Sequence, residues 1–294
     1  MNVIIPMAGS SSRFFEAGYK VSKALLPVGN RKMIEHVVNM FDPNKCKYHI
    51  VINTQQLDDH PNLINDLKKI ATNIEVVVIE KHDLGPVYSA LQVKGIEDNE
   101  ETIVSYCDFI VHWNYPLFLR QVYGKDGCVV SFKGFHPASF GTTFYAYMKV
   151  KDNQMLELRE KKSFTKSRID EHASTGIYYF KNYSIFNKYA NKLLEEESTL
   201  LPEAYVSLLF NNMVDDGLSV VVHEVNKFIC LGTPDDYEQY QFWWSYFTSE
   251  QKTLLNNDNN VKKVGLIPMA GKGSRFREYG YRVAKPLIQI NGKP

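Results

Sequence analysis

The stretch Ile5-Pro6-Met7-Ala8-Gly9-Ser10-Ser11-Ser12-Arg13-Phe14 decides the fold, because the chain spells it twice. It returns as Ile267-Pro268-Met269-Ala270-Gly271-Lys272-Gly273-Ser274-Arg275-Phe276, and at the same offset Gly18-Tyr19, Val21, Lys23 and Leu25 are matched by Gly280-Tyr281, Val283, Lys285 and Leu287. In the first copy the apolar run Val3 to Pro6 reads as a short strand leading into a loop of small residues. A loop of that kind exposes successive backbone N–H groups and lets a phosphate approach them closely. Ala8, Gly9, Ser10, Ser11 and Ser12 are therefore candidates for holding a polyphosphate. No Gly-Lys-Ser/Thr closes the loop as in a Walker A motif, and it is not a G-x-G-x-x-G turn. Arg13 at its end and Lys23 beyond it bring two cations to the same place, which suits chemistry that is mostly positioning and charge neutralisation on phosphate oxygens. The same interval recurs at Arg275 and Lys285, which argues against two incidental surface charges.

Working outward, the second copy runs out at Gly292-Lys293-Pro294, partway through a pattern that the first copy continues into a helix. This predicts a complete module over 1–248, a polar, Asn-rich linker over 249–263, and the truncated start of a second module over 264–294. Within the first module strands and helices alternate. Helical spacing covers Met33 to Phe41, Asn62 to Ala71, Pro86 to Val93 and Tyr115 to Tyr123; apolar or β-branched runs cover Tyr48 to Asn53, Ile74 to Ile79 and Thr102 to Tyr106. The expectation is an α/β fold: a Rossmann-like mixed, mostly parallel sheet flanked by helices, with ligands beyond the carboxyl ends of its strands. Strands at Val129 to Lys133, Thr142 to Val150, Met155 to Glu160 and Gly176 to Phe180 make the sheet mixed later on. Helices at Tyr183 to Leu194 and Pro202 to Val214, a strand at Leu218 to Glu224 and a closing helix at Pro234 to Phe247 complete it.

Composition narrows the function. The 294 residues are 44% apolar and 23% charged, ordinary values for a folded chain, and 34 basic against 33 acidic residues leave a net charge of +1. Partners that are nucleic acids usually leave a basic excess, so none is expected. The four cysteines are scattered with no C-x-x-C, and the histidines form no H-E-x-x-H, which excludes zinc and redox motifs of those kinds. There is no G-x-S-x-G elbow. No basic n-region precedes the N-terminal apolar run, which Pro6 breaks, and no apolar stretch is long enough to span a membrane. A cytoplasmic location is expected.

Pro6-Met-Ala-Gly-x-x-Ser-Arg-Phe14, followed by Ser22-Lys-x-Leu-Leu-Pro-Val28, resembles the signature of the sugar-1-phosphate nucleotidyltransferases, the family of glucose-1-phosphate thymidylyltransferase. Gly85-Pro-Val-Tyr-Ser-Ala-Leu91, Tyr106-Cys-Asp108, Glu160-Lys161, Ala173-Ser-Thr-Gly-Ile-Tyr-Tyr-Phe180 and Gly232-Thr-Pro-Asp-Asp-Tyr237 extend the resemblance over roughly residues 1 to 245. The wording of Glu160-Lys-Lys162 and of Ala173 to Phe180 is similar to a branch assigned to capsular polysaccharide synthesis. The resemblance implies a GT-A-like nucleotidyltransferase fold and transfer of a nucleoside monophosphate from CTP, UTP or dTTP to a phosphorylated small molecule. In this reading Arg13 and Lys23 neutralise the triphosphate, Gly85 lies under the base, and Glu80 nearby accepts a hydrogen bond from it. Asp108 binds Mg²⁺, and Glu160, Lys161 and Gly176 hold the sugar phosphate.

Two positions depart from the pattern. Ser11 stands where the family commonly has glycine, which the second copy keeps as Gly273. Cys230 stands where a second metal carboxylate is usual, and a thiol is a poor ligand for Mg²⁺. Three other readings stay open: a degenerate nucleotide-binding module of a tandem enzyme, a nucleotide-sugar glycosyltransferase, which lacks its Asp-x-Asp here, and a cytidylyltransferase acting on a non-sugar phosphate. The aromatics of the closing helix read first as packing and second as a subunit contact in a homo-oligomer. His136 in Gly134-Phe-His-Pro137 is a further candidate for reaching an acceptor.

Overall fold

The computed structural model of the chain describes residues 1–134, 136, 145–197, 203–248, 269 and 271–290. The expected linker, Pro202, residues 142–144 of the expected strand and most of the second copy's first strand lie outside them. The chain divides into two compact units, Met1–Tyr246 and Phe247–Pro294.

In chain order the strands are β1 (Asn2–Pro6), β2 (Pro27–Val28), β3 (Arg31–Lys32), β4 (Lys47–Asn53), β5 (Ile74–Ile79), β6 (Thr102–Ser105), β7 (Phe109–His112), β8 (Gly127–Phe132), β9 (Ala146–Lys151), β10 (Gln154–Glu160), β11 (His172–Phe180), β12 (Val220–Glu224) and β13 (Lys227–Cys230). Nine of them form one sheet in the order β5-β4-β1-β6-β11-β8-β12-β10-β9. Side chains alternate across it as a strand demands: Val3 and Ile5 join one buried cluster with Tyr48, Ile50 and Ile103, while Ile4 joins the other with Val51, Val104 and Val129. Both faces are covered, which is why these strands read as unbroken apolar runs.

The expected mostly parallel sheet is corrected here. The run β5-β4-β1-β6 is parallel, as is β12 on β8, but β11 lies antiparallel to β6 and β8, and β10 is antiparallel to β12 and β9. Because β9 also pairs back onto β11, the strands β11, β8, β12, β10 and β9 close into a ring. Fully buried runs look alike whether their neighbours are parallel or antiparallel, so the sequence pattern does not distinguish the two.

Helices differ less. The closing helix spans Pro234–Thr248, and the helix Tyr115–Val122 begins with the Asn114 side chain accepting from Leu117 N–H. A helix at Thr54–Asp59, not expected from spacing, starts in a reciprocal cap in which Asn53 and Gln56 bond each other's backbone N–H at 2.9 Å. The expected helix from Pro202 is also corrected: the α-helix is Leu209–Asp215, preceded by a short 3-10 turn at Val206–Leu208 and an extended Tyr205. Another unforeseen piece is the antiparallel pair β7–β13, which carries Asp108 and Cys230 at neighbouring ends.

In the second unit, the described residues form a short helix at Ser274–Glu278 and a 3-10 turn at Lys285–Leu287.

Candidate active site

The site forms where β1 and β6 end. Beyond β1, Met7 N–H donates to Val51 O at 2.8 Å, the Gln56 amide donates to Met7 O at 3.0 Å, and the Asn53 amide donates to Ala8 O at 2.7 Å. These bonds fix a buried Ala8, and the chain then emerges at Gly9 and Ser10, which are exposed. Ser11 adopts the left-handed region at φ 52°, ψ 28°, and launches the helix Ser12–Glu16. That conformation costs an ordinary residue about 1 kcal/mol, so the family's glycine at this position has a physical reason. The Ser11 hydroxyl lies 3.4 Å from that of Ser22 and accepts from Lys23 N–H at 3.3 Å. Phe14, fully buried among Leu26, Val28, Met33 and Tyr237, pins the helix from below and leaves Ser12 and Arg13 exposed.

Lys23 opens a 3-10 turn, and its Nζ lies 2.7 Å from Asp108 Oδ2, both side chains about one-fifth exposed. Burial by itself would lower the Lys23 pKa, but the Asp108 carboxylate beside it wins and leaves it raised, despite the opposing charge of Arg13. Lys23 therefore remains a cation at neutral pH. The closing helix clamps this loop: Tyr237 donates to Pro27 O at 2.7 Å, Gln241 accepts from Gly29 N–H at 3.2 Å, and Tyr19 donates to Glu238 at 3.0 Å. The expected packing role holds for Tyr237, which is buried, and for the half-buried Tyr240, but not for Trp244, Tyr246 and Phe247, which are exposed. Phe242 and Trp243 remain more than half exposed.

Around Asp108, Leu231 N–H donates to the Asp108 carbonyl at 2.9 Å, and a side chain at Gly232 would come within 3.2 Å of its Oδ2. Cys230 lies alongside, its thiol pushed up to about 12 by burial and by the nearby Asp236 carboxylate, to which Sγ donates at 3.4 Å. Asp236 is a site residue that sequence reasoning misses. Its signal is the Thr233-x-x-Asp236 spacing of a helix cap, borne by Thr233 donating to it at 2.7 Å and Asp236 N–H donating back to the Thr233 hydroxyl at 3.2 Å. Among the described residues no group of three or more His, Cys, Asp or Glu side chains could hold a metal ion. Asp108 offers the hard oxygen that Mg²⁺ prefers; the protonated Cys230 does not.

The acceptor-side candidates meet on the ring. Glu160 ends β10, and burial raises its carboxyl pKa, against the opposing effect of Ser207, which donates to it at 2.5 Å, and of the Lys161 charge. Lys161 adopts φ 54°, and its ammonium donates to the Tyr205 hydroxyl at 2.6 Å while lying 4.4 Å from the centre of that ring. Gly176 sits in the bulge of β11 between Ser174 and Ile177, where its carbonyl accepts from Tyr106 N–H at 2.9 Å. Tyr205 also feels the Arg13 charge, which ties this flank to the loop.

Gly85 caps the helix Pro86–Leu91 at φ 90°, and a side chain on it would meet the Ala204 backbone nitrogen at 2.5 Å. Its glycine requirement is thus met by the protein's own backbone. Glu80 is exposed and accepts from the Thr54 hydroxyl at 3.4 Å. His136 packs against Phe132 and Phe228 and is half-buried, donating through Nε2 to Phe228 O at 2.8 Å.

Residues 3–168 match the MobA-like NTP transferase domain. The chain belongs to that family. It is accordingly a nucleotidyltransferase. Among curated proteins, none matches the chain. Solved structures do share the fold. A nucleoside-diphosphate-sugar pyrophosphorylase from Vibrio cholerae RC9 superposes with a TM-score of 0.67 at 19% identity, over 81% of this chain and 98% of that one. A UDP-glucose pyrophosphorylase complexed with UDP-glucose gives 0.62 at 15% identity over 83% and 98%, and the inositol-1-phosphate CTP transferase of T. maritima gives 0.60 at 16% over 82% and 94%. No helix among the described residues is long and apolar enough to cross a membrane.

Proposed function

We propose that this nucleotidyltransferase moves a nucleoside monophosphate from CTP, UTP or dTTP to a sugar 1-phosphate or a similarly phosphorylated small molecule and releases pyrophosphate. The observation that carries the reading is the Lys23–Asp108 pair at 2.7 Å, tied to the Gly9–Arg13 loop where the Ser11 hydroxyl accepts from Lys23 N–H. An acceptor phosphate oxygen forms the new bond to the α-phosphorus while the bond to the β-phosphate oxygen breaks. A phosphate monoester, with its second pKa near 6, already carries the attacking charge at neutral pH, so no general base is required. Lys23 and Arg13 neutralise the triphosphate, and Lys161 receives the acceptor phosphate. Asp108 would hold Mg²⁺, which when bound supplies further neutralisation of phosphate charge. The wording of residues 173–180 supports a place in capsule or surface polysaccharide synthesis inside the cell.

Cys230 favours one competing reading, in which this module binds nucleotide without turning it over. Pyrophosphate release separates the two, measured with CTP, UTP, dTTP, ATP and GTP against glucose 1-phosphate, mannose 1-phosphate, inositol 1-phosphate and phosphocholine in the presence of Mg²⁺. Release that depends on one triphosphate and one acceptor is expected. Nucleotide binding without release under every pairing would establish the binding module.

A further inference from the structure

Residues 203–207 bond to the turn around Gly85, to Tyr106, to Glu160 and to Lys161, and each of the five makes a hydrogen bond. Glu203 accepts from the Tyr205 hydroxyl. Ala204 N–H donates to Leu84 O at 3.1 Å and Ala204 O accepts from Val87 N–H at 3.1 Å, bracketing Gly85. Tyr205 holds the Lys161 ammonium by a 2.6 Å hydrogen bond and by its ring face. Val206 N–H donates to the Tyr106 hydroxyl at 3.2 Å, two residues before Asp108. Ser207 donates to Glu160 at 2.5 Å. The segment is neither helix nor strand until the 3-10 turn begins at Val206, so its backbone groups are used to bind other parts of the chain instead of each other.

Lys161 gives the segment its purpose. A lysine ammonium on a long, flexible stem loses considerable rotamer entropy when it must stay in one place. Here its backbone stands in the left-handed region at φ 54°, and its head is taken by a tyrosine whose own hydroxyl is oriented by a carboxylate. The relay runs from Lys161 to Tyr205 to Glu203, each donor pointing to the next acceptor. A cation preorganised in this way binds an anion without ordering itself at the moment of binding.

We propose that Glu203–Ser207 is a positioning strap, in which Tyr205 aims the Lys161 ammonium at an incoming phosphate while Ser207 fixes the neighbouring Glu160 carboxyl in place. The proposal rests on reading Lys161 as the acceptor-phosphate cation. It predicts that Tyr205 governs phosphate affinity at Lys161 without governing the nucleotide loop.

Acylation of Lys161 by a succinimidyl ester at fixed pH, followed by peptide mass spectrometry, reads the ammonium's environment without knowledge of the sugar. Inorganic phosphate is the probe that protects it. In the full chain, Tyr205→Phe, which keeps the ring and loses the hydroxyl, should speed labelling of Lys161 and raise the phosphate concentration for half-protection roughly ten-fold, the size of one hydrogen bond to a charged group. Tyr205→Leu, which loses both contacts, should raise it further, and the melting temperature and CTP or UTP affinity of Tyr205→Phe should match the wild type. Equal labelling rates and equal half-protection in wild type and Tyr205→Phe would overturn the strap. Phosphate that fails to protect Lys161 in the wild type, with faster labelling still seen in Tyr205→Phe, would leave the positioning contact standing and overturn the acceptor reading of Lys161.

Discussion

In the first copy of the repeated loop Ser11 stands at φ 52° and Lys23 is bonded to Asp108; in the second Gly273 stands at φ 59° and Lys285 Nζ lies 5.4 Å from the centre of the Phe276 ring. Locally the two are near duplicates. Each starts a short helix, Ser12–Glu16 or Ser274–Glu278, and each closes it by the same pair of backbone bonds, Gly18 N–H to Phe15 O and Tyr19 N–H to Phe14 O in one, Gly280 N–H to Arg277 O and Tyr281 N–H to Phe276 O in the other. The ring pairs Phe14–Tyr19 and Phe276–Tyr281 lie 5.4 and 5.6 Å apart. The second loop even lines a cavity of about 490 Å³ with Gly271, Gly273, Ser274, Arg275 and Lys285, and no carboxylate is among the described residues that line it. Loop conformation is thus a local property carried by the repeated residues, whereas a reactive site needs partners from distant strands. On the proposed function Asp108, Glu160 and Lys161 are such partners, and all three lie in the first unit.

The largest break in the comparison comes from removing the first loop's distant partner. Asp108→Asn should lower pyrophosphate release by roughly 10²-fold to 10³-fold with circular dichroism unchanged, as expected for loss of a preorganised charge at a phosphoryl-transfer site. Full activity in that variant would make the first loop no better equipped than the second.

Acid should expose the footing of the first loop next. His49 on β4 is fully buried, bonded through Nε2 to the Asn2 side chain at 3.0 Å, while Nδ1 faces Glu75 at 3.2 Å, off line for a hydrogen bond. Burial lowers its pKa from 6.5 to about 4, with Glu75 only partly opposing. A base whose pKa is depressed on folding contributes stability that is complete above its unfolded value and is lost as pH falls towards its folded one. His49 alone should therefore cost the first unit up to about 3 kcal/mol between pH 6.5 and 4 in urea titrations, and His49→Gln should remove that share while the loss from the other histidines that burial depresses, His82, His136, His172 and His223, remains. The second unit contains no histidine and should show no transition of that origin.

The smallest effect sharpens the one backbone difference. Ser11→Gly should stabilise the first unit by about 0.5 kcal/mol, since relief of the left-handed strain outweighs two weak hydroxyl contacts. Ser11→Ala, which keeps the strain and loses the contacts, should cost about 1 kcal/mol. Equal melting temperatures for the two variants would mean that the loop carries no strain.

The alternation of elements, the loop and its two cations were legible because they depend on neighbours in sequence: β1 is an apolar run, and the loop with Arg13 and then Lys23 follows it. Pairings across the chain were not. The ring is closed by β9 returning to β11 and by Gln154 opposite Val221, and apolar runs carry no label for the direction of a neighbour. Residues 203–208 read as the start of a helix running on to Val214, yet their partners, Leu84, Tyr106, Glu160 and Lys161, are distant in sequence and draw the backbone away from it. Asp236 escaped notice for the same reason: its spacing to Thr233 announces a cap, and only the fold brings it to Cys230.

The central claim, that the first loop is the reactive one, is tested most directly by comparing Lys23→Ala with Lys285→Ala in the full chain and measuring pyrophosphate release at saturating triphosphate. Lys23→Ala should lose roughly 10²-fold to 10³-fold, and Lys285→Ala should stay within about two-fold of wild type. Equal losses in both variants, or a loss confined to Lys285→Ala, would contradict the account.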